Sequence, residues 1–283
     1  MVTFLQFLKR IFLLMVLAAQ CLFMGCTVDL LGLFGSTGLK ERLAERNNFK
    51  FLKAEERAIN LGGDYSFLVI ADTHIENGDA FGLEKIRGVI EADEKIKFVV
   101  IIGDITQCAY EQDIKKFIEI ADSLRELDVP CYPVIGNHDI YFNNWENWKK
   151  LIGSTCYRID GGAATLFMLD SANASFGKEQ LDWLDSELTS AKAKGRVFVF
   201  THSNFFAESP ADIQQVTDAR ERARMFSILR NRCDVMFSGH LHKRIISEAG
   251  GVQYAAIEDF RHAKIYYRVT VNDSGISYRP ESL

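Results

Sequence analysis

The stretch VIGNHDIYF, Val134 to Phe142, sets Gly136, Asn137, His138 and Asp139 straight after an apolar run. Asn and His are poor strand residues. Two readings compete. One is a plain turn, because Gly and Asn tolerate positive φ. The other is a site built at the C-terminal edge of a sheet, where open α/β folds place their ligands. The surrounding sequence decides between them.

Upstream, YSFLVIA (65–71) reads as a buried strand and GLEKIRGVIEADEKI (82–96) as a helix. KFVVIIG (97–103) is the next strand. EQDIKKFIEIADSLREL (111–127) is an amphipathic helix with Ile114, Phe117, Ile118, Ala121 and Leu124 at helical spacing. PCYPVIG (130–136) is a third strand. The order strand, helix, strand, helix, strand belongs to a layered α/β fold. Downstream, WENWKKLIG (145–153) reads as a short helix and TCYRIDGGAATLFMLD (155–170) as a hairpin turning at Gly161–Gly162. KEQLDWLDSELTSAKAKG (178–195) is another helix. RVFVFTH, CDVMFSGHLH and VQYAAIEDF add strands, and the tail reads as a hairpin around Asn272–Gly275. The second half is richer in hairpins, so two mixed sheets sandwiched between helices fit better than one parallel sheet.

The strand ends carry the chemistry. VIADTH ends in Asp72 and His74, VVIIGD in Asp104, PVIGNHD in Asn137 and His138, FVFTH in His202, and VMFSGHLH in His240 and His242. Five of the 6 histidines follow an apolar run; His262 does not. Imidazoles, carboxylates and an amide oxygen suit divalent transition metals such as Zn, Mn or Fe. Asp-x-His and His-x-His place alternate side chains on one side if the segments are extended. On this reading Asn137 offers its amide oxygen to a metal and Gly136 supplies the turn. Taken alone, each element has a plainer reading as a turn or a structural histidine. Five coincidences in order do not.

The series DTH, GD, GNHD, TH and GHLH resembles the ordered signature of the calcineurin-like metallophosphoesterases, over roughly residues 65 to 270. The resemblance implies a four-layer fold, a β-sandwich of two mixed sheets flanked by helices. It implies Asp72, His74, Asp104 and His242 around one ion, and Asp104, Asn137, His202 and His240 around a second, Asp104 bridging. Hydroxide, formed from water made acidic by the two cations, would attack phosphorus in line. His138 would be catalytic rather than a ligand, as general acid to the leaving oxygen or as electrostatic stabiliser. The implied substrate is a phosphate mono- or diester: a small molecule, a nucleotide or a phospholipid headgroup. GDITQC carries Gln107, and THSNFF lacks the proline common near the fourth motif; both concern the substrate side. Arg158, Arg244 and Arg261 are candidate phosphate clamps, with plain surface charge the simpler reading of each. The opposing functional class is a binding protein that keeps the fold without turnover; the intact ligand set and His138 count against it.

The N-terminus has the layout of a secretory signal: Lys9 and Arg10, then a charge-free apolar run to Cys26. LFMGC (22–26) resembles a bacterial lipobox. The expected organisation is a lipoprotein signal over 1–25, lipidation of Cys26, a tether over 26–63 and the catalytic domain over 64–283. That places the protein outside the cytoplasm, anchored to a bacterial membrane. Cys108, Cys131, Cys156 and Cys233 read as free thiols rather than disulfides. The chain is 283 residues with net charge -5, which argues against a broad electrostatic grip on nucleic acid.

Overall fold

The structure, a computed structural model, describes residues 37–206 and 218–283. The expected signal segment and Cys26 lie outside the described residues. Two sheets form the centre. The first half of the chain supplies β2 (Tyr65–Ala71), β3 (Ile96–Ile102) and β4 (Cys131–Val134), and the C-terminal hairpin supplies β11 (Ile265–Asn272) and β12 (Gly275–Ser282). These five lie in the order β12-β11-β2-β3-β4. β2, β3 and β4 are parallel, and β11 runs antiparallel to β2.

The second sheet holds β1 (Ala58–Leu61), β5 (Tyr157–Gly162), β6 (Ala164–Leu169), β7 (Arg196–Thr201), β8 (Val235–Ser238), β9 (Ile245–Ala249) and β10 (Val252–Ala256). Its order is β1-β5-β6-β7-β8-β10-β9, with parallel pairing from β6 through β8 to β10. Two mixed sheets thus stand where the sequence placed them. The hairpin at Gly161–Gly162 forms as expected. A second hairpin, β9 to β10, turns at Gly250 and Gly251, both at positive φ, as two-residue hairpin turns require.

Period-two alternation explains the layering. In β7, Phe198 and Phe200 point between the sheets and pack edge-on against Phe67 of β2, at 5.1 and 6.2 Å. Val197 and Val199 point the other way. There they meet Leu181, Leu184 and Leu188 of α5 (Gly177–Lys194) and Met225 of α6 (Ala219–Leu229). On the outside of the other sheet lie α2 (Ile86–Glu91) and α3 (Glu111–Arg125), the latter burying Ile114, Phe117, Ala121 and Leu124. The helix expected over 82–96 is shorter in fact. It ends at Glu91 because the Asp93 carboxylate accepts the Lys95 N–H at 3.0 Å, closing a local turn.

The larger correction concerns the tether expected over 26–63. From Thr37 onward the chain is part of the domain. α1 (Leu39–Ala44) carries Arg42, fully buried, whose guanidinium grips both oxygens of Asp170 at 2.8 and 2.7 Å. Glu56 pairs with Arg125, and β1 adds an edge strand beside β5. Charge in this segment reads as solvated in the sequence, yet two of its charges are satisfied by partners 69 and 128 residues away. The four cysteines beyond the N-terminal segment are free.

Candidate metal centre

The metal-ligand candidates all emerge from the C-terminal ends of parallel strands: pairing gathers those after β2, β3 and β4 in one sheet and those after β7 and β8 in the other, and the packing of the two sheets brings both sets together. Asp72 and His74 follow β2, and Asp104 follows β3. Asn137 and His138 follow β4, His202 follows β7, and His240 and His242 follow β8. The strand ladder continues past β2 and β3: Asp72 N–H donates to Gly103 O, and His74 N–H to Asp104 O at 2.8 Å.

Three overlapping groups result, each with donor atoms within 4.8 Å of one another: Asp72, His74 and His242; His74, Asp104 and His138; Asp104, His202 and His240. Asp104 joins the second group to the third. Its Oδ2 lies 3.3 Å from His202 Nε2, 3.9 Å from His74 Nε2 and 4.0 Å from His138 Nε2. His202 Nε2 also lies 2.9 Å from Asn137 Oδ1 and 3.0 Å from His240 Nδ1.

Backbone geometry differs from the extended segments that the sequence suggested. Asp72, His74, Asp104, His240 and His242 all adopt left-handed φ between 45° and 71°. Each costs roughly 1–2 kcal/mol relative to the ordinary regions. The alternation argument for Asp-x-His and His-x-His therefore does not hold, although the residues do converge. His138 is not extended either: it opens a 3-10 turn, His138–Ile140. Gly136 is needed for space rather than for a positive φ. A Cβ there would lie 2.2 Å from both the backbone nitrogen and Oδ1 of Asp104.

Secondary contacts fix each group. His202 Nδ1 faces Ile102 O at 3.2 Å, and His138 Nδ1 faces Gln107 O at 2.9 Å. A carbonyl only accepts, so both Nδ1 atoms carry the proton and both Nε2 atoms turn to the centre. The backbone N–H of His138 donates to Asp104 Oδ1 at 2.8 Å, and that of His240 donates to Asp72 Oδ2 at 3.0 Å. Asp139, fully buried, accepts from the N–H groups of Ile105, Thr106 and Gly136 and from the Thr106 hydroxyl. It ties the GNHD loop to the GD loop. Burial and the Asp104 charge raise its carboxyl to about 6.

Burial lowers His240 to about 3, with the His202 charge adding to the effect. Burial opposes protonation of His202 as well, but the Asp104 charge and hydrogen bond prevail and lift it to about 9. Asp104 is buried too, yet the surrounding histidines hold it well below the carboxylate range.

This donor set fits divalent metal ions. His74 Nδ1 and Nε2 and His240 Nε2 are buried without a hydrogen-bond partner, a condition that buried polar atoms seldom tolerate. Their company of carboxylates, imidazoles and one amide oxygen suits hard to borderline cations.

Arg158 lies on the outer face, opposite Phe167, and pairs with Asp160 and Glu187, so it is no part of the centre. Arg244 is exposed beside β9. Arg261 reaches the rim, where it engages Glu76 at 2.7 Å and Gln107 at 3.1 Å. One group escaped the sequence reading. Asp259 caps α7 (Phe260–Ala263), holds His262 Nδ1 at 2.6 Å, and stands 4.0 Å from His242 Nδ1. The two follow β10 rather than a motif strand, and no spacing rule would have signalled them.

A double sheet between helices, with Asp, His and Asn side chains gathered at the shared strand edge, defines a metallophosphoesterase fold. The sequence model of the calcineurin-like phosphoesterase family matches residues 65–244, and the chain belongs to that family. Among curated proteins, it is 32% identical over 120 residues to a probable cyclic nucleotide phosphodiesterase of Fibrobacter succinogenes. That match covers 40% of this chain and 43% of the relative, so the chain spans less than half of that protein's length. It is 26% identical over 200 residues to a probable glycerophosphodiester phosphodiesterase of Arcobacter nitrofigilis, covering 62% of this chain and 70% of the relative. Among solved structures, a dimetal phosphatase from Danio rerio superposes with a TM-score of 0.61 at 16% identity, over 77% of this chain and 96% of that one.

Proposed function

We propose that this protein hydrolyses phosphodiesters at a centre holding two divalent ions. Asp72, His74, Asp104 and His242 would hold one ion. Asp104, Asn137, His202 and His240 would hold the other, with Asp104 shared. The observation that carries this reading is the position of Asp104 between separate His/Asp groups. Divalent ions held there supply Lewis acidity: they lower the pKa of water and offset charge on phosphate oxygens. The chain's own residues prepare the rest. The N–H groups of His138 and His240 orient the Asp104 and Asp72 carboxylates. His138, its side chain 25% exposed where Asp104 and His202 are 3% and 0%, opens toward solvent with Nε2 inward. With Nδ1–H held by Gln107 O, it would give a proton from Nε2 to a departing oxygen in its doubly protonated form. The two curated relatives, both named as phosphodiesterases, favour diesters over monoesters.

The membrane part of the proposal rests on sequence alone: export through a lipoprotein signal and anchorage of Cys26 in a bacterial membrane. Mass spectrometry of the native N-terminus tests it, and an unmodified Cys26 or an intact Met1 rejects it. For the chemistry, metal-loaded protein is assayed on paired mono- and diesters, with bound metal measured alongside. Two ions per chain and turnover of diesters are expected. Full metal occupancy without hydrolysis of any ester would leave a binding protein.

A further inference from the structure

We infer that Phe142 forms a stacking wall beside the centre and selects phosphoesters whose organic group carries a flat aromatic ring, such as a nucleoside. The inference rests on the phosphodiesterase reading above and narrows its substrate class. Three observations lead to it.

A line of rings runs outward from the metal-ligand candidates. His74 meets His138 edge-on at 4.7 Å, His138 meets Tyr141 at 4.5 Å, and Tyr141 meets Phe142 at 5.8 Å. Two ring-to-ring steps, of 4.5 and 5.8 Å, separate His138 from Phe142.

The second observation is exposure. Among the described residues, two large aromatic side chains stand more than a third exposed: Phe142 at 57% and Tyr110 at 50%. Both belong to loops at this rim. Asn144 Nδ2 donates to Cys108 O at 2.7 Å and Asn147 Nδ2 to Ala109 O at 3.0 Å, lacing the 108–110 segment to the 141–147 segment.

The third is backbone strain. Phe142 has φ 53° and Asn143 φ 65°. A bulky residue in the left-handed region is an outlier, and such strain gathers at ligand sites. Below the ring, the Tyr141 hydroxyl accepts from Asn137 Nδ2 at 2.5 Å, so the loop that presents Phe142 is anchored to a metal-ligand candidate. An exposed ring gives a polyhydroxylated group such as glycerol little to bind, whereas base–aromatic stacking is worth a factor of roughly 5 to 150 in affinity.

Calorimetry on the metal-loaded full chain tests the proposal without needing turnover. The probes are AMP and glycerol 3-phosphate, which share a phosphomonoester and differ in the ring. Wild type is expected to prefer AMP. Phe142→Ala is expected to shrink that preference roughly 5- to 150-fold, and Phe142→Trp to restore it. A preference unchanged in Phe142→Ala, or a wild type without one, overturns the inference. So does an equal loss for both probes, which would mean a general disturbance of the centre. Failure of wild type to hydrolyse any diester would instead sink the phosphodiesterase reading, while the binding ratio still decides the role of Phe142.

Discussion

At Gly136 a single methyl group decides the outcome. A Cβ would overlap the Asp104 backbone nitrogen and Oδ1, both 2.2 Å away, so Gly136→Ala must push two motif loops apart. We expect it to lose bound metal, read by elemental analysis after gel filtration; retention of both ions would refute the close-approach argument. His138 should behave in the opposite way. Its Nδ1 is held by Gln107 O, and although its Nε2 lies 4.0 Å from Asp104 Oδ2 it is not one of the proposed ligands. His138→Ala is expected to keep its metal and to lose roughly 10²–10⁴ in turnover, the range of general acid–base help. The loss should shrink on substrates with good leaving groups, which depart without a proton. Undiminished hydrolysis of a poor leaving group would end that role. Asp259 Oδ1 stands 4.0 Å behind His242 Nδ1, longer than a hydrogen bond but near enough for its charge to favour the ring as a ligand, as carboxylates behind metal-bound imidazoles do. Asp259→Asn is therefore expected to weaken metal affinity by about 10- to 100-fold, measured by competition with a chelating dye.

Among the elements, α3 shows what sequence pattern conveys well. Its apolar spacing named most of the buried face: Ile114, Phe117, Ala121 and Leu124 are covered, while Ile118 is only half-buried and Ile120, not named, is buried. Phe117→Ala should cost about 3–5 kcal/mol, the usual range for emptying a large aromatic site, seen as a lowered denaturation midpoint. The strands were equally legible, as short apolar runs bounded by turn residues, such as Val197 to Phe200, which is buried on both faces. The backbone just past the strand ends was not legible. Left-handed φ at Asp72, His74, Asp104, His240 and His242 is only weakly signalled by residue type, since Asp and His are enriched there but none of these is glycine. It is imposed by neighbouring loops, through contacts such as those of Asp139 with Ile105, Thr106 and Gly136.

For the molecule as a whole, the segment from Thr37 to Gly63 matters most. Arg42 and Asp170 are both fully buried, and removing one partner of such a pair leaves an uncompensated charge. Arg42→Ala is expected to destabilise the domain by about 3–5 kcal/mol, and a chain begun at residue 64 should melt well below one begun at residue 37. Equal melting temperatures would restore the tether reading. The sequence by itself determined the layered α/β class, the two hairpins and the placement of Asp72, His74, Asp104, Asn137, His202, His240 and His242 just past strand ends. Those features arise from local apolar patterning, whereas a shared edge within one sheet accounts only for the residues after β2, β3 and β4 or for those after β7 and β8, and the packing of the two sheets joins the sets. Only the tertiary structure decided that residues 37–63 belong to the domain, that Asp259 and His262 stand beside His242, and that Arg158 faces away. It also set the line of rings from His74 to Phe142. Each of these depends on which distant segments meet, and a buried ion pair or a ring contact between them leaves no periodic trace in the chain.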